Sequence, residues 1–355
     1  MKEYILRLCV GLVILLPTIG FAQVEDWVRR YNGPGNSFDW ANAIALDNSG
    51  NVYVTGISQD SGTGRDYATV KYDSSGVEQW VATYNGPGNS SDGAYAIGLD
   101  NLGNVYVTGV SEGSGTGSDY ATVKYNSSGV EQWVARYNGP ANSYDVAYAI
   151  AVDNLGNIYV TGSSEASGLD NYDYATIKYN ALGVEQWVAR YDTSGGTWDD
   201  AYAIALDNAG NVYVTGKSIS ARGFGYVTVK YDSSGVEQWV ARYNGPGNSN
   251  DVALAIALDN AGNVYVTGAS WGSGTGHDYA TIKYSSTGIA EKIATSVENN
   301  YLGSTIFSGP LLLPEGKKCK VFDITGRVVE PDRIQPGIYF IEIDGKVAQK
   351  VIKIR

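Results

Sequence analysis

Asp47-Asn48-Ser49-Gly50-Asn51-Val52-Tyr53-Val54-Thr55-Gly56 decides how this chain is read. Its last seven residues, Gly-Asn-Val/Ile-Tyr-Val-Thr-Gly, return at Gly103–Gly109, Gly156–Gly162, Gly210–Gly216 and Gly262–Gly268. The aspartate three residues ahead returns with them, as Asp100, Asp153, Asp207 and Asp259, at spacings of 53, 53, 54 and 52 residues. A period of that length marks a modular array of supersecondary units.

Working outward from the copy at Gly103, each unit spells four short strands. Tyr95–Leu99 is a short apolar segment, and Asp100–Gly103 is a turn whose Asp and Asn can bond backbone amides. Asn104–Thr108 is rich in β-branched and aromatic residues, as a strand is. Asp119–Tyr125 alternates like a half-buried strand; Asn126–Gly129 is a second turn, and Glu131–Tyr137 a fourth strand. Residues 24–290 show no helical periodicity. Four strands joined by Gly-containing turns form one antiparallel sheet. Sheets repeated every fifty residues predict an all-β fold, a propeller of five four-stranded blades, rather than a solenoid of shorter repeats. Asp26–Gly33 matches the fourth strand of the other units, whereas residues 289–294 after the last unit do not. The expectation is that the N-terminal strand completes the last blade and closes the ring, which removes an exposed edge.

The stretches Asp-Asn-x-Gly-Asn-Val-Tyr-Val-Thr-Gly and Asp-Tyr-Ala-Thr-Val-Lys-Tyr resemble the bacterial β-propeller repeats called SBBP repeats, over roughly residues 24–290. That family's name refers to seven blades; this chain has five copies.

The ends read differently. Met1–Gln23 has Lys2 and Arg7, an apolar run Leu8–Leu16 and small residues before Gln23. It is expected to be a secretory signal, residues 1–22, too short in its apolar run for a membrane anchor. No later segment is long and apolar enough to span a membrane. The chain beyond the signal retains one cysteine, Cys319, and so no internal disulfide. Residues 291–310 read as a linker, and 311–355 as a small antiparallel β-sandwich with a hairpin at Asp344-Gly345-Lys346. Val321–Val328 and Pro336–Arg355 resemble the type A C-terminal sorting domain of the type IX secretion system. That resemblance implies a sorting signal at Gly337, Tyr339, Gly345, Lys346, Lys350, Lys353 and Arg355, the type IX machinery as partner, and a secreted or outer-membrane cell-surface location.

Residues 23–290 carry 28 acidic and 13 basic residues, a net charge of −15; residues 291–355 carry 8 acidic and 10 basic, a net of +2. An acidic body disfavours phosphate backbones and argues against nucleic acid as partner. The sign change near residue 290 marks a domain boundary.

In an antiparallel blade the connections alternate between two faces. The first face carries near-identical turns such as Asp47–Gly50 and Asp73–Gly76. The second carries the differences, in the loops 57–65, 110–118, 163–172, 217–225 and 269–277 and in the blade connections. Binding residues favour loops on a rigid scaffold. The candidates there are Trp40, Tyr144, Trp198 and Trp271, which do not repeat, and the series Asp39, Asp92, Asp145, Asp199 and Asp251, which does. The aspartates suit a cation or a sugar hydroxyl, or else cap their own loop amides; a residue present in every blade favours the cap. Asp66, Asp119, Asp173 and Asp278 read as structural, with Gly225 standing in their place in the fourth unit.

Enzyme signals are weak. His277 is the only histidine, no Gly-x-Ser-x-Gly elbow occurs, and no carboxylate pair is singled out. No metal or cofactor is expected. The expected function is a non-catalytic binding or adhesion module for extracellular glycan or protein. A structural surface array without a defined ligand and a carboxylate-based glycan-cleaving enzyme are the alternatives.

Overall fold

The computed structural model describes residues 25–166, 171–193, 198–220, 223–285, 305–307, 318–323, 327–331, 334–343 and 346–353. The signal segment 1–22, most of the linker 291–310, and Gly345 and Arg355 lie outside them. The chain divides into two compact units, Met1–Ala290 and Glu291–Arg355.

The first unit is five sheets in chain order. Sheet 1 is β1 (Asp39–Leu46), β2 (Val52–Asp60), β3 (Gly64–Tyr72) and β4 (Glu78–Tyr84). Sheet 2 is β5 (Asp92–Leu99), β6 (Val105–Glu112), β7 (Ser118–Tyr125) and β8 (Glu131–Tyr137). Sheet 3 is β9 (Asp145–Val152), β10 (Ile158–Glu165), β11 (Tyr172–Tyr179) and β12 (Glu185–Tyr191). Sheet 4 is β13 (Asp199–Leu206), β14 (Val212–Ser220), β15 (Gly223–Tyr231) and β16 (Glu237–Tyr243). Sheet 5 has three strands, β17 (Val252–Leu258), β18 (Val264–Gly272) and β19 (Gly276–Tyr284). Every pairing within these sheets is antiparallel.

The repeated turn explains itself chemically. Asp47 Oδ1 accepts from the amides of Ser49 and Asn51, both at 2.9 Å, and Oδ2 accepts from Asn51 Nδ2 at 2.7 Å and Tyr53 OH at 3.1 Å. Gly50 takes φ 77°, where a side chain would be strained. The same bonds recur around Asp100, Asp153, Asp207 and Asp259. The second and third strands run further than their alternation suggests. β2 and β3 pair out to Asp60 opposite Gly64, so the expected loop 57–65 is a tight hairpin. Its polar residues still alternate across the strand, which carries the ladder outward.

Each first strand bulges where it passes the second. Ala94 and Ala96 bracket the shift in sheet 2, opposite Gly109. A Cβ on Gly109 would lie 2.0 Å from the Gly93 carbonyl oxygen, so glycine is required there by close backbone approach.

Successive sheets pack face to face through four equivalent cores. Between sheets 1 and 2, Tyr53, Tyr67 and Ala82 meet Ala94, Val105, Val107, Ala121, Val123 and Tyr125, with Trp80 and Tyr84 at the margin. The junctions from sheet 2 to sheet 5 repeat this arrangement.

The expected fourth strand of sheet 5 is not formed among the described residues. Asp26–Tyr31 is irregular and lies against sheet 1, where Trp27 and Tyr31 pack on Val52, Val70 and Tyr72. Apolar contact with sheet 1 holds this segment in place of ladder bonds to β19.

The second unit is one mixed sheet in the order β20 (Thr305–Phe307), β24 (Lys346–Lys353), β23 (Gly337–Ile343), β21 (Cys319–Asp323), β22 (Val328–Val329). Where a sandwich is expected from sequence, the described residues form this single layer, with Val321, Ile334, Tyr339 and Ile341 as its small core. β20 adds parallel to β24, extending the sheet sideways instead of covering it. Among the described residues no helix is long and apolar enough to cross a membrane.

Candidate functional site

The second face is built from the ends of the β2–β3-type hairpins and the connections between sheets. The repeated aspartates stand at its base. Asp92 accepts from the amides of Gly86 at 2.7 Å and Glu112 at 3.0 Å. Asp251 accepts from Gly245 at 2.7 Å and Trp271 at 2.8 Å; Asp145 accepts from Gly139 at 2.7 Å. Asp199 takes the amide and hydroxyl of Thr193, and Asp39 the amide of Gly33 and the Ser58 hydroxyl. Asp92, Asp145, Asp199 and Asp251 are buried. Burial raises the carboxyls of Asp92, Asp145 and Asp199 above the usual range, against the lowering pull of those bonds. These oxygens point into the protein's own loops.

The non-repeating aromatics stand further out and fall into three groups. Trp40 stacks with Phe38 at 5.8 Å on sheet 1, and Trp271 meets His277 edge-on at 4.8 Å on sheet 5. Tyr144 and Trp198 come together through Tyr172, with ring centroids 6.3 and 5.8 Å from it. Single bridges between sheets, Ser118 with Tyr144 and Tyr172 with Trp198, set these rings side by side.

The structure adds residues that reading the sequence did not single out. The innermost strands β5, β9 and β13 carry Tyr95, Tyr148 and Tyr202, a row with centroids 6.0 and 5.4 Å apart. Sheets 1 and 5 place Asn42 and Leu254 there. At the end of the row Lys217 and Asp200 face each other across β13 and β14 as an ion pair of 3.0 Å, both largely buried. Lys217 Nζ also lies over Phe224 at 4.6 Å, Tyr202 at 5.8 Å and Trp198 at 6.0 Å. Tyr202 OH donates to Asp200 at 3.2 Å. The corresponding cross-strand pairs in the other sheets are Trp40–Ile57, Gly93–Val110, Val146–Ser163 and Val252–Ala269, none of them charged. The signal was available by aligning the five copies position by position: variation at the tyrosine site and one charged pair in five.

Sheets 2 to 4 therefore bring together seven aromatic rings and one ion pair in one sector. Apolar walls with a few placed polar groups are the usual make-up of a small-molecule site. Among the described residues no group of three or more His, Cys, Asp or Glu side chains is placed to hold a metal ion. In the C-terminal unit Gly337 and Tyr339 lie on β23 and Lys346, Lys350 and Lys353 on β24.

No curated protein matches this chain. Among solved structures, the chain is similar to a gluconolactonase from Xanthomonas campestris, at 12% identity over 64% of this chain and 69% of that one, TM-score 0.38. A protein of unknown function from Dyadobacter fermentans aligns at 10% identity over 68% and 74%, TM-score 0.44. PorZ of Porphyromonas gingivalis, described as an essential surface component of the type-IX secretion system, aligns at 18% identity over 92% and 48%, TM-score 0.42. Likenesses this distant transfer no activity. Residues 26–60, 132–170 and 186–223 match the family model for the SBBP β-propeller repeat.

Proposed function

We propose that this chain is a five-bladed propeller, secreted or displayed at the cell surface, that binds an extracellular glycan without turning it over. The observation that carries the reading is the aromatic sector of sheets 2 to 4, Tyr95, Tyr148, Tyr202, Tyr144, Tyr172 and Trp198, ending at the Lys217–Asp200 pair. Sugars present apolar C–H faces and polar rims. Rings take the first, and the largely buried Lys217–Asp200 pair takes the second. The repeated aspartates Asp39, Asp92, Asp145, Asp199 and Asp251 hold the loops that carry these rings. With most of their oxygens committed to loop amides and hydroxyls, and Asp145 Oδ1 buried without a partner, they are poorly placed as acid or nucleophile toward a ligand, which favours binding over cleavage. The near-identical turns of the first face favour the second reading, a surface array without a ligand.

A glycan array probed with wild type, Trp198→Ala, Lys217→Met and Trp271→Ala tests this. Binding that falls at least tenfold in the first two variants and persists in the third supports the sector as the site. Failure to bind any glycan, or equal binding by all four, removes it; turnover abolished by changing one aspartate revives the glycan-cleaving alternative. Export rests on the resemblance of residues 321–328 and 336–355 to a type IX sorting domain. Deleting Lys346–Arg355 is expected to trap the protein in the periplasm, and normal surface delivery of that truncation sinks the sorting reading.

A further inference from the structure

The fourth strands of sheets 2, 3 and 4 carry an arginine at the same place, Arg136, Arg190 and Arg242. The ladders deliver them alike, opposite Ala121, Ala175 and Val227 of the neighbouring strand. In sheets 2 and 3 the guanidinium is neutralised within its own sheet. Arg136 bonds Asp119 at 2.7 Å, Ser111 Oγ at 2.6 Å and, in the preceding sheet, Tyr84 OH at 3.1 Å. Arg190 makes the same contacts with Asp173, Ser164 and Tyr137, at 2.9, 2.7 and 2.8 Å. Ser111 faces Asp119 across the ladder and Ser164 faces Asp173, whereas the matching pair in sheet 4 is Ser218 and Gly225. Sheet 4 therefore has the arginine without its carboxylate.

Three observations follow that one change. Arg242 is exposed and makes no hydrogen bond or ion pair among the described residues; its guanidinium lies over the Tyr191 ring at 5.5 Å. Tyr191, the counterpart of Tyr84 and Tyr137, is 6% exposed, and its hydroxyl is buried without a hydrogen-bond partner. Folded proteins rarely leave a buried hydroxyl in that condition. Nor does a neighbour fill the space that Asp173 takes in sheet 3. Apart from atoms next to it in the chain, a Cβ on Gly225 would meet only the Tyr243 carbonyl within 4 Å, its oxygen at 2.9 Å.

We propose that an external carboxylate binds beside Gly225, held by the Arg242 guanidinium and the Tyr191 hydroxyl. The parallel N–H groups of a guanidinium match the two oxygens of a carboxylate, and the phenol adds a third donor. Arg242 need only slide from the face of the Tyr191 ring to its hydroxyl edge, the position that Arg190 holds beside Tyr137. Charge narrows the ligand. Residues 23–290 carry a net charge of −15, and Asp192, Asp199 and Glu237 all act on Tyr191. That field repels a dianion such as phosphate more strongly than a single carboxylate. The ligand class is a monocarboxylic acid group, as sugar acids and acidic amino acids present it. Tyr191 and Arg242 stand on the fourth strands β12 and β16, at the opposite sheet edges from β9 and β13, which carry Tyr148 and Tyr202. The site is thus separate from the aromatic sector and independent of the glycan reading.

The test is saturation-transfer NMR of acetate with the full chain, as wild type, Arg242→Gln and Tyr191→Phe. Arg242 is exposed and unbonded, and the Tyr191 hydroxyl has no partner to lose, so both variants are expected to fold. Affinity for acetate should fall about tenfold in Arg242→Gln and severalfold in Tyr191→Phe. Glucuronate and N-acetyl-aspartate should displace acetate, and inorganic phosphate at equal concentration should not. Whichever acid displaces at the lower concentration identifies the source as a sugar acid or an acidic residue, and either supports the site. No acetate signal in wild type, an equal signal in Arg242→Gln, or displacement by phosphate alone overturns it. Asp173→Gly supplies a gain of function, since it frees Arg190 and Tyr137 in the same way. Acetate should raise the Tm of this variant by more than it raises that of wild type, with sodium chloride at equal ionic strength as the control. Equal shifts in the two proteins overturn the equivalence of the two sheets on which the proposal stands.

Discussion

Removing Arg190 should destabilise the chain by about 3 kcal/mol at neutral pH. Its guanidinium bonds Asp173 Oδ2 from two nitrogens, at 2.9 and 3.1 Å, and also Ser164 Oγ at 2.7 Å, Ser164 O at 3.0 Å and Tyr137 OH at 2.8 Å. The side chains are 24% and 8% exposed. Breaking a buried pair by deleting one partner costs about 3–5 kcal/mol, because the other charge is stranded; the partly wet arginine places Arg190→Ala near the low end, about 3 kcal/mol. Burial already raises the Asp173 carboxyl, and Arg190 pulls it down. Without the arginine it rises further. A carboxyl whose folded pKa lies above its unfolded one keeps its proton in the fold, so stability falls as pH climbs through that window. The deficit of Arg190→Ala should therefore be smaller at pH 4 than at pH 7. The assay is urea denaturation followed by tryptophan fluorescence at both pH values, for Arg190→Ala, Asp173→Gly and the double variant. Sheet 4 already carries Gly225 at the aspartate position, with Arg242 lying over Tyr191 at 5.5 Å, so Asp173→Gly should fold and cost less than Arg190→Ala. A loss below about 1 kcal/mol at pH 7, or a double variant equal to the sum of the singles, refutes the argument.

Three further outcomes are expected. Gly109→Ala places a methyl 2.0 Å from a backbone oxygen that cannot yield, and should cost more than about 3 kcal/mol or prevent folding, read by circular dichroism and thermal melting. Tyr174→Phe removes one buried donor to Val227 O and should cost about 1 kcal/mol in denaturant titration, with the sheet content unchanged. Bonds from Asn263 hold the Asp259 carboxyl at about 2, below its ordinary value, so its stabilisation is present above the unfolded value and lost as pH falls towards 2. Asp259→Asn should make the acid limb of a Tm–pH profile shallower between those values; Asn126 and Asn180 already make the related turn of the outer hairpins.

Much of the scaffold is legible in one copy of the repeat. Asp47, Gly50 and Tyr53 announce a turn followed by a strand because their bonds are local and lie within six residues. What the sequence hides is whatever depends on register. Lys217 and Asp200 are 17 residues apart and become neighbours only after the bulge between Ala201 and Ala203 shifts the pairing of β13. Tyr95, Tyr148 and Tyr202 sit inside a repeated Ala-Tyr-Ala-Ile string that reads as scaffold until its equivalents Asn42 and Leu254 are set beside it. Trp40 and Trp271, read as one set with Tyr144 and Trp198, stand in separate groups because they belong to sheets 1 and 5.

The sameness of the interior junctions has a cost during folding. Sheet 2 presents to sheet 3 nearly the surface that sheet 3 presents to sheet 4, down to the tyrosine and its carbonyl acceptor. Nothing in those surfaces tells a sheet which neighbour is its own. Order must come from the tether, since a sheet that skips its neighbour has to span an extra connection and expel a whole unit from the stack. Lengthening one inter-sheet connection should thus erode fidelity sooner than stability: chains would collapse with sheets out of sequence, kinetically trapped and slow to correct.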